Sequence, residues 1–343
     1  MRDSAVDAEI IKAAAKLACR APSLHNSQPW HWVLEGNVVQ LFANPPHVAP
    51  ATDRSRRETL ISCGAALDHF RVAIAAAGWT ANLDRFPNPN DPQHLASIDF
   101  SSSKFVTDGH RRRAEAILQR RTDRLPFGAP PDWFVFEAEL PASLGAESVQ
   151  LGVIADELRP ELAAASDLTE SLRLYDTPYH EEIYWWTAGS AITEGIPQSS
   201  LISAAESDRV DVGRSFPVSQ DSHRRPEVGE DQSKILVLST FDDTHASVLR
   251  CGEALSAVLL DATMAGYATC TVTHLMEFPA SRTVVATLSG GNLPQVLVRV
   301  GLAPIAADLP PATPRRPIDD VFEVRTEGTN QGPSALRAGQ RHE

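Results

Sequence analysis

Cys63-Gly-Ala-Ala-Leu67 and Cys251-Gly-Glu-Ala-Leu255 are two versions of one segment, 188 residues apart. Each lies in a long stretch of helical periodicity. The first runs from Arg57 to Ala77, carries the apolar stripe Cys63, Leu67, Phe70, Ile74 and Ala77, and is stopped by Gly78. Moved by the same interval, the stripe falls on Cys251, Leu255, Val258, Ala262 and Ala265, and Gly78-Trp79 falls on Gly266-Tyr267. A Cys-Gly start, a shared stripe and a Gly-aromatic stop in one register make a repeat; two unrelated amphipathic helices are the bland alternative. The period is too long for a solenoid. It implies two α/β halves about a pseudo-two-fold axis, with the long helices at its centre, as in the isologous dimer of a smaller ancestor. The small Cys and Gly side chains would let the helices approach closely.

Composition sets the class of molecule around this repeat. The chain has 343 residues, 43% of them hydrophobic, enough for one extended domain or two smaller ones. Net charge is −13, from 31 basic and 44 acidic residues, which argues against a nucleic-acid partner but leaves room for a local phosphate site. Apolar runs are short and interrupted, so no membrane partner is expected. The stretch Met1-Arg-Asp-Ser-Ala-Val-Asp-Ala-Glu-Ile10 lacks the apolar core of a secretory signal. Cys19, Cys63, Cys251 and Cys270 have neither Cys-x-x-Cys nor zinc spacing; they read as buried free thiols, and no metal site is expected. These features point to a soluble protein of the reducing cytoplasm.

Val6 to Arg20 reads as a helix with Ile10, Ile11, Ala14, Leu17 and Ala18 on one face. Pro22 ends it. Ala21-Pro-Ser-Leu-His-Asn-Ser-Gln-Pro-Trp30 then sets Ser23, His25, Asn26, Ser27 and Gln28 between two prolines, more hydrogen-bonding groups than a turn requires. It reads as a rigid polar wall, with an ordinary Ser/Asn turn as the alternative. His31–Leu34 and Val38–Phe42 flank Glu35-Gly-Asn37 as a hairpin. Leu95–Phe100 reads as a strand, Gly109–Gln119 as a helix, and Val149–Ile154, Lys234–Ser239 and Pro294–Gly301 as strands of the second half. Leu158 to Thr187 reads as helical throughout. The halves divide as 1–108 and 109–326, at the start of the helix before Arg120; the Pro/Gly-rich break Leu125–Asp132 is the other candidate boundary. Residues 327–343 have few apolar side chains and are expected to form a disordered tail.

No Gly-x-Gly-x-x-Gly follows a strand, and Walker, Gly-x-Ser-x-Gly and His-x-x-x-His patterns are absent. The remaining signal is basic. Arg120, Arg121 and Arg124 follow a helix, and Arg315 and Arg316 lie between Pro314 and Pro317. Guanidinium groups match phosphate bidentately, so five arginines at two places beside prolines form a candidate phosphate site. Solvated arginines at helix and loop ends are the alternative.

Pro22-Ser-Leu-His-Asn-Ser-Gln-Pro-Trp30 resembles the Pro-Ser-x-x-Asn-Ser-Gln-Pro-Trp signature of FMN-dependent nitroreductases. Arg120-Arg-Thr-Asp-Arg124 resembles the Arg-x-Ser-x-Lys/Arg opening of that fold, and Pro314-Arg-Arg-Pro317 its C-terminal basic phosphate contact. With a duplicated core in one chain, the arrangement is similar to the Acg-type branch of the family. The resemblance implies an α+β, nitroreductase-like fold of two tandem degenerate halves, packed as a monomeric pseudo-dimer around the long helices. It also implies one FMN site rather than two. The first half would contribute Pro22, Ser23, Leu24 and Asn26, and the second Arg120, Arg121, Thr122, Arg124, Arg315 and Arg316. The loop Thr271-Val-Thr-His274 would approach the ring edge through Thr273 and His274. No side chain is implied as an acid or base, since the flavin carries hydride; Arg124 would act electrostatically on the reduced ring. The implied reaction is ping-pong, with NAD(P)H reducing FMN and a nitroaromatic or quinone-like acceptor reoxidising it. Residues 172–232 form a candidate lid, with Tyr175, Tyr179, Tyr184, Trp185 and Trp186 available to stack on the flavin or simply to fill the core. A lid that occludes the site would make a catalytically weak protein that sequesters FMN.

Overall fold

The two long helices lie side by side and hold the molecule together. In the computed structural model, which describes residues 5–44, 47–140, 149–189, 193–218, 222–304 and 312–325, the chain begins with α1 (Ala8–Ala18). The strands β1 (Trp30–Glu35) and β2 (Val38–Ala43) follow, then α2 (Arg57–Ala76), β3 (Trp79–Arg85) and β4 (His94–Ser102). Next come α3 (Asp108–Gln119), α4 (Trp133–Glu139), β5 (Val149–Ile154), α5 (Arg159–Arg173), α6 (Thr177–Thr187) and the short α7 (Ala204–Ser207). The second core is β6 (Lys234–Thr240), α8 (His245–Met264), β7 (Ala268–Val272), α9 (Pro279–Leu288) and β8 (Leu293–Gly301), and α10 (Ile318–Val321) runs into β9 (Phe322–Arg325).

The repeat read from the sequence corresponds to a repeat in space. One sheet has the order β3-β4-β2-β1-β9 and the other β5-β6-β8-β7. Taken from the strand after each long helix, the orders are β3-β4-β2-β1 and β7-β8-β6-β5, and every pair within these sets is antiparallel. The limits of α2, shifted by 188, are those of α8. The α2–α8 contact is reciprocal. A Cβ on Gly64 would stand 2.1 Å from the carbonyl oxygen of Leu249, and one on Gly252 would stand 2.2 Å from that of Ile61, the residue equivalent to Leu249. No side chain fits there, which is why the repeat keeps glycine at both positions. Further along the same seam the equivalent residues Asp68 and Ser256 meet, Ser256 Oγ donating to Asp68 Oδ2 at 2.6 Å, with His69 Nδ1 2.8 Å from Ser256 Oγ. Burial pushes the Asp68 carboxyl up, opposed by Arg71 Nη2 at 3.5 Å, and pushes the His69 imidazole down.

The end of the chain binds the halves further. β9, from the end of the chain, joins the first sheet parallel to β1. Around Arg120 to Gly128 the chain touches the second sheet through bridges from Thr122 to Thr269 and from Gly128 to Leu302. α2 is apolar and long enough to cross a membrane, but most of its residues are buried against protein, as a core helix requires. The four cysteines are free and buried, and burial raises the thiol pKa of each.

The structure departs from the sequence reading in specific places. Leu158 to Thr187 is two helices, because Asp176 accepts from Tyr179 N at 3.2 Å and starts α6 afresh beside Pro178. The segments β3, β7, α4 and α9 were not expected. Thr271 and Val272, expected in a loop, belong to β7, and the turn is confined to the 3₁₀ residues His274–Met276. The expected tail 327–343 lies outside the described residues.

Candidate active site

The polar wall is held in an unusual backbone conformation. His25, Asn26 and Gln28 all have positive φ, at 50°, 59° and 51°, although none is glycine. Such a run persists only where the surroundings over-determine it. Ser23 Oγ accepts from Gln28 N at 3.1 Å, and Leu24 N donates to Ser62 Oγ of α2 at 3.2 Å. The amide side chains reach outward. Asn26 Nδ2 donates to the carbonyls of Gly195 at 3.0 Å and Pro314 at 3.2 Å. Gln28 Nε2 donates to the carbonyl of Thr193 at 2.8 Å, while its Oε1 accepts from Arg316 N at 2.9 Å. The wall therefore fixes two other segments, one near Gly195 and one carrying Arg315.

Beyond the wall lie two adjoining compartments that share Pro22, Ser23, Thr122 and Arg124. The smaller is lined by Arg20, Arg120, Arg121 and Arg315, with Thr313 and Ser200. Among the described residues none of these four arginines has a carboxylate partner. The guanidinium groups of Arg120, Arg121 and Arg315 rest on backbone carbonyls at two helix C-termini, and that of Arg20 on the carbonyl of Thr313 at 3.2 Å. Arg315 donates to the carbonyls of Cys19 (2.8 Å), Arg20 (3.1 Å) and Ala21 (3.2 Å), just past α1. Arg121 donates to that of Leu118 at 2.7 Å, at the end of α3. Helix C-termini carry unpaired carbonyls and partial negative charge, so they hold cations without neutralising them. Arg120 is only 6% exposed, and its Nε has no partner. Burial, reinforced by the charges of Arg20 and Arg121, lowers its pKa to about 10. Burial and the charge of Arg120 likewise push Arg315 well down. The compartment concentrates positive charge, from the buried Arg120 through the half-buried Arg20 and Arg315 to the exposed Arg121, in a chain of net negative charge, and none of the four has a carboxylate partner among the described residues.

The larger compartment is lined by Ile61 and Ser62 of α2, Leu255 of α8, Cys270 to Val272 of β7, and Thr273. It is covered by residues between Ile202 and Phe216. The Arg124 guanidinium lies over the Phe216 ring, 5.0 Å from its centroid, with no carboxylate partner among the described residues. His25 forms part of the wall, and burial, then the charges of Arg214 and Arg124, holds it neutral. The two compartments are continuous through their shared residues, the larger the more apolar and the smaller lined by arginines.

A protein of Mycobacterium tuberculosis named "Putative NAD(P)H nitroreductase acg" is 64% identical over 328 residues, which are 95% of this chain and 99% of the relative. The chain belongs to this nitroreductase family. Two other M. tuberculosis relatives extend it. One, named only as an uncharacterized protein, is 51% identical over 92% of this chain and 93% of its own. The other, again called "Putative NAD(P)H nitroreductase", is 36% identical over 92% of both. Among solved structures, the FMN-dependent nitroreductase NfnB of Mycobacterium smegmatis in complex with NADPH is 15% identical, covers 62% of this chain and 97% of its own, and has a TM-score of 0.38. A nitroreductase from Anabaena variabilis, described as putative, is 8% identical, covers 86% and 73% respectively, and scores 0.48. No family model matches the chain.

Of the residues expected at a nitroreductase site, Pro22, Ser23, Leu24, Asn26, Arg120, Arg121, Thr122, Arg124, Thr273 and Arg315 line one compartment or both. Two do not. Arg316 turns away to an ion pair with Glu194 Oε1 at 3.2 Å and the carbonyl of Asp320; it contributes its backbone N–H to Gln28 instead of its charge to the site. His274 is buried behind the turn, its Nε2 2.8 Å from Ser166 Oγ, and burial keeps it neutral. The aromatic residues proposed for the lid also lie elsewhere. Tyr175, Tyr184 and Trp185 are exposed, Tyr179 packs under Arg173, and Trp186 is in ring contact with Trp185 and His25. Phe216 is the aromatic over the larger compartment. The sequence reading missed Arg20, Phe216 and Glu58. Only Arg20 carried a signal, standing immediately before the quoted wall.

Proposed function

We propose that the chain is an FMN-dependent NAD(P)H oxidoreductase of nitroreductase type. The observation that carries this reading is the arginine compartment: four guanidinium groups are gathered beside the larger compartment and lack a carboxylate among the described residues. Arg20, Arg120, Arg121 and Arg315 would neutralise the FMN phosphate. Thr122 and the Pro22–Leu24 wall would bound the ring. Bound FMN would supply hydride transfer, accepting from NAD(P)H and passing electrons to a nitroaromatic or quinone-like acceptor. Arg124 would place positive charge beside the ring and favour its reduced, more negative form. Asn26 acts one step removed, holding the Gly195 and Pro314 segments that close the compartment. The same attachments favour a second reading, in which the covering segment excludes acceptors and the protein sequesters FMN. An anaerobic absorption spectrum with and without NADPH separates the two. A yellow protein with one FMN per chain that bleaches rapidly supports the oxidoreductase. One that stays yellow supports sequestration, and a chain that takes up no FMN refutes both.

A further inference from the structure

Glu58, in the first turn of α2, forms part of the wall of the large compartment and also of a separate groove lined by Thr52, Arg57, Arg173 and Glu277. It is 3% exposed, and its Oε1 has no hydrogen-bond partner. Its carboxyl lies against Asp53, whose own oxygens are taken by the helix start: Oδ1 accepts from Glu58 N at 3.1 Å, and Oδ2 from Thr59 N at 2.7 Å and Thr59 Oγ1 at 2.6 Å. A buried carboxyl set against a second carboxylate holds its proton more tightly. Burial, then the hydrogen bond to Asp53 and the charges of Asp53 and Glu277, drive Glu58 well above the carboxylate range, opposed only by Arg57. Across the compartment the charged or titratable groups are His25, Arg124, Arg214, Cys270 and Arg299, the last paired with Asp231.

We propose that Glu58 is the proton donor of this site, giving its carboxyl proton to an acceptor bound in the large compartment and recovering it from the groove behind. The inference rests on the oxidoreductase reading. A quinone becomes a hydroquinone by gaining a hydride and a proton. The hydride comes from NAD(P)H by way of the cofactor and forms a bond to the quinone; the O–H bond of Glu58 breaks as the second hydroquinone O–H bond forms. The resulting carboxylate is reprotonated by water from the groove, past Asp53. A donor positioned in this way contributes on the order of 100-fold or more to such a step.

The test uses FMN-loaded protein reduced anaerobically by NADPH, then mixed with either a benzoquinone or ferricyanide, which takes electrons and no proton. Glu58→Gln keeps the shape but cannot donate an acid proton. Reoxidation by quinone is expected to slow by about 100-fold and to lose its dependence on pH, whereas wild type slows as rising pH deprotonates Glu58. Reduction by NADPH and reoxidation by ferricyanide should remain at wild-type rates. In D₂O the wild-type quinone step should slow and the ferricyanide step should not, a readout independent of any variant. Infrared spectra of the protein at neutral pH should show a protonated-carboxyl band that Glu58→Gln removes. Unchanged quinone rates in the variant, equal slowing with ferricyanide, or retention of the band would overturn the role of Glu58 alone. A wild type that binds no FMN, or is not reduced by NADPH, would overturn the oxidoreductase reading and this proposal with it.

Discussion

Replacing Arg120 with methionine should strengthen the protein and weaken its ligand, a pair of opposite effects that a structural arginine does not produce. Arg120 is buried, has one long hydrogen bond to the carbonyl of Arg20 at 3.3 Å, and faces Arg20 and Arg121. Its displacement from the ordinary arginine range down to about 10 corresponds, at about 1.4 kcal/mol per pH unit, to a cost on the order of 3 kcal/mol for keeping the charge in the folded chain. Because the folded pKa is lowered, this cost is present in full at neutral pH and is relieved only as pH rises through about 10. Methionine removes the charge, fills most of the volume and forfeits a hydrogen bond worth about 1 kcal/mol. The ligand-free variant should therefore be more stable than wild type by about 1–2 kcal/mol. FMN should bind more weakly, since a charge-assisted hydrogen bond to phosphate is worth about 1.5–3 kcal/mol, or about 10- to 150-fold in Kd. Urea unfolding of the apoprotein and fluorescence titration with FMN measure the two effects. A destabilised variant that binds FMN with wild-type affinity would refute the reasoning.

Three further outcomes follow from the same geometry. Arg124→Ala should lower the reduction potential of bound FMN more than it weakens binding, and an unchanged potential would remove Arg124 from the ring. Gly64→Ala sets a methyl group 2.1 Å from the Leu249 carbonyl and should cost at least about 1–3 kcal/mol in denaturant unfolding; wild-type stability would contradict the close helix contact. Gln28→Ala frees Thr193 and the Arg316 N–H, so FMN should leave faster while the reduction potential stays unchanged, and an unaltered off-rate would show that the wall does not hold the cover.

The central architecture was legible because close packing dictates residue identity: only glycine fits at 64 and 252, and the repeat shows it. β3 was hidden because Trp79, Ala81 and Leu83 are its only inward apolar residues and are half-buried, while Thr80, Asn82 and Asp84 look like loop. β7 is five residues long and was absorbed into a turn, although the repeat interval from β3 leads directly to it. The wall announced itself through composition, but its function as a clamp did not, because its partners Thr193, Gly195 and Pro314 are more than 150 residues away. Arg20 could not be separated from any cation at a helix end without knowing that Arg120 and Arg315 converge on it. Arg316 shows the converse. Adjacent to Arg315 and identical in type, it faces Glu194 because neighbouring side chains in an extended segment point to opposite sides. Glu58 was invisible as a site residue, since an acid in the first turn of a helix is ordinary; its meaning comes from Asp53 and the two cavities.

If the arginine compartment is a phosphate site, calorimetric titration of the apoprotein distinguishes FMN from riboflavin, the same ring without the phosphate. FMN should bind one per chain, and riboflavin should bind more weakly by at least about 100-fold, with the difference shrinking in Arg120→Met. Equal affinity for the two ligands would contradict a phosphate site there.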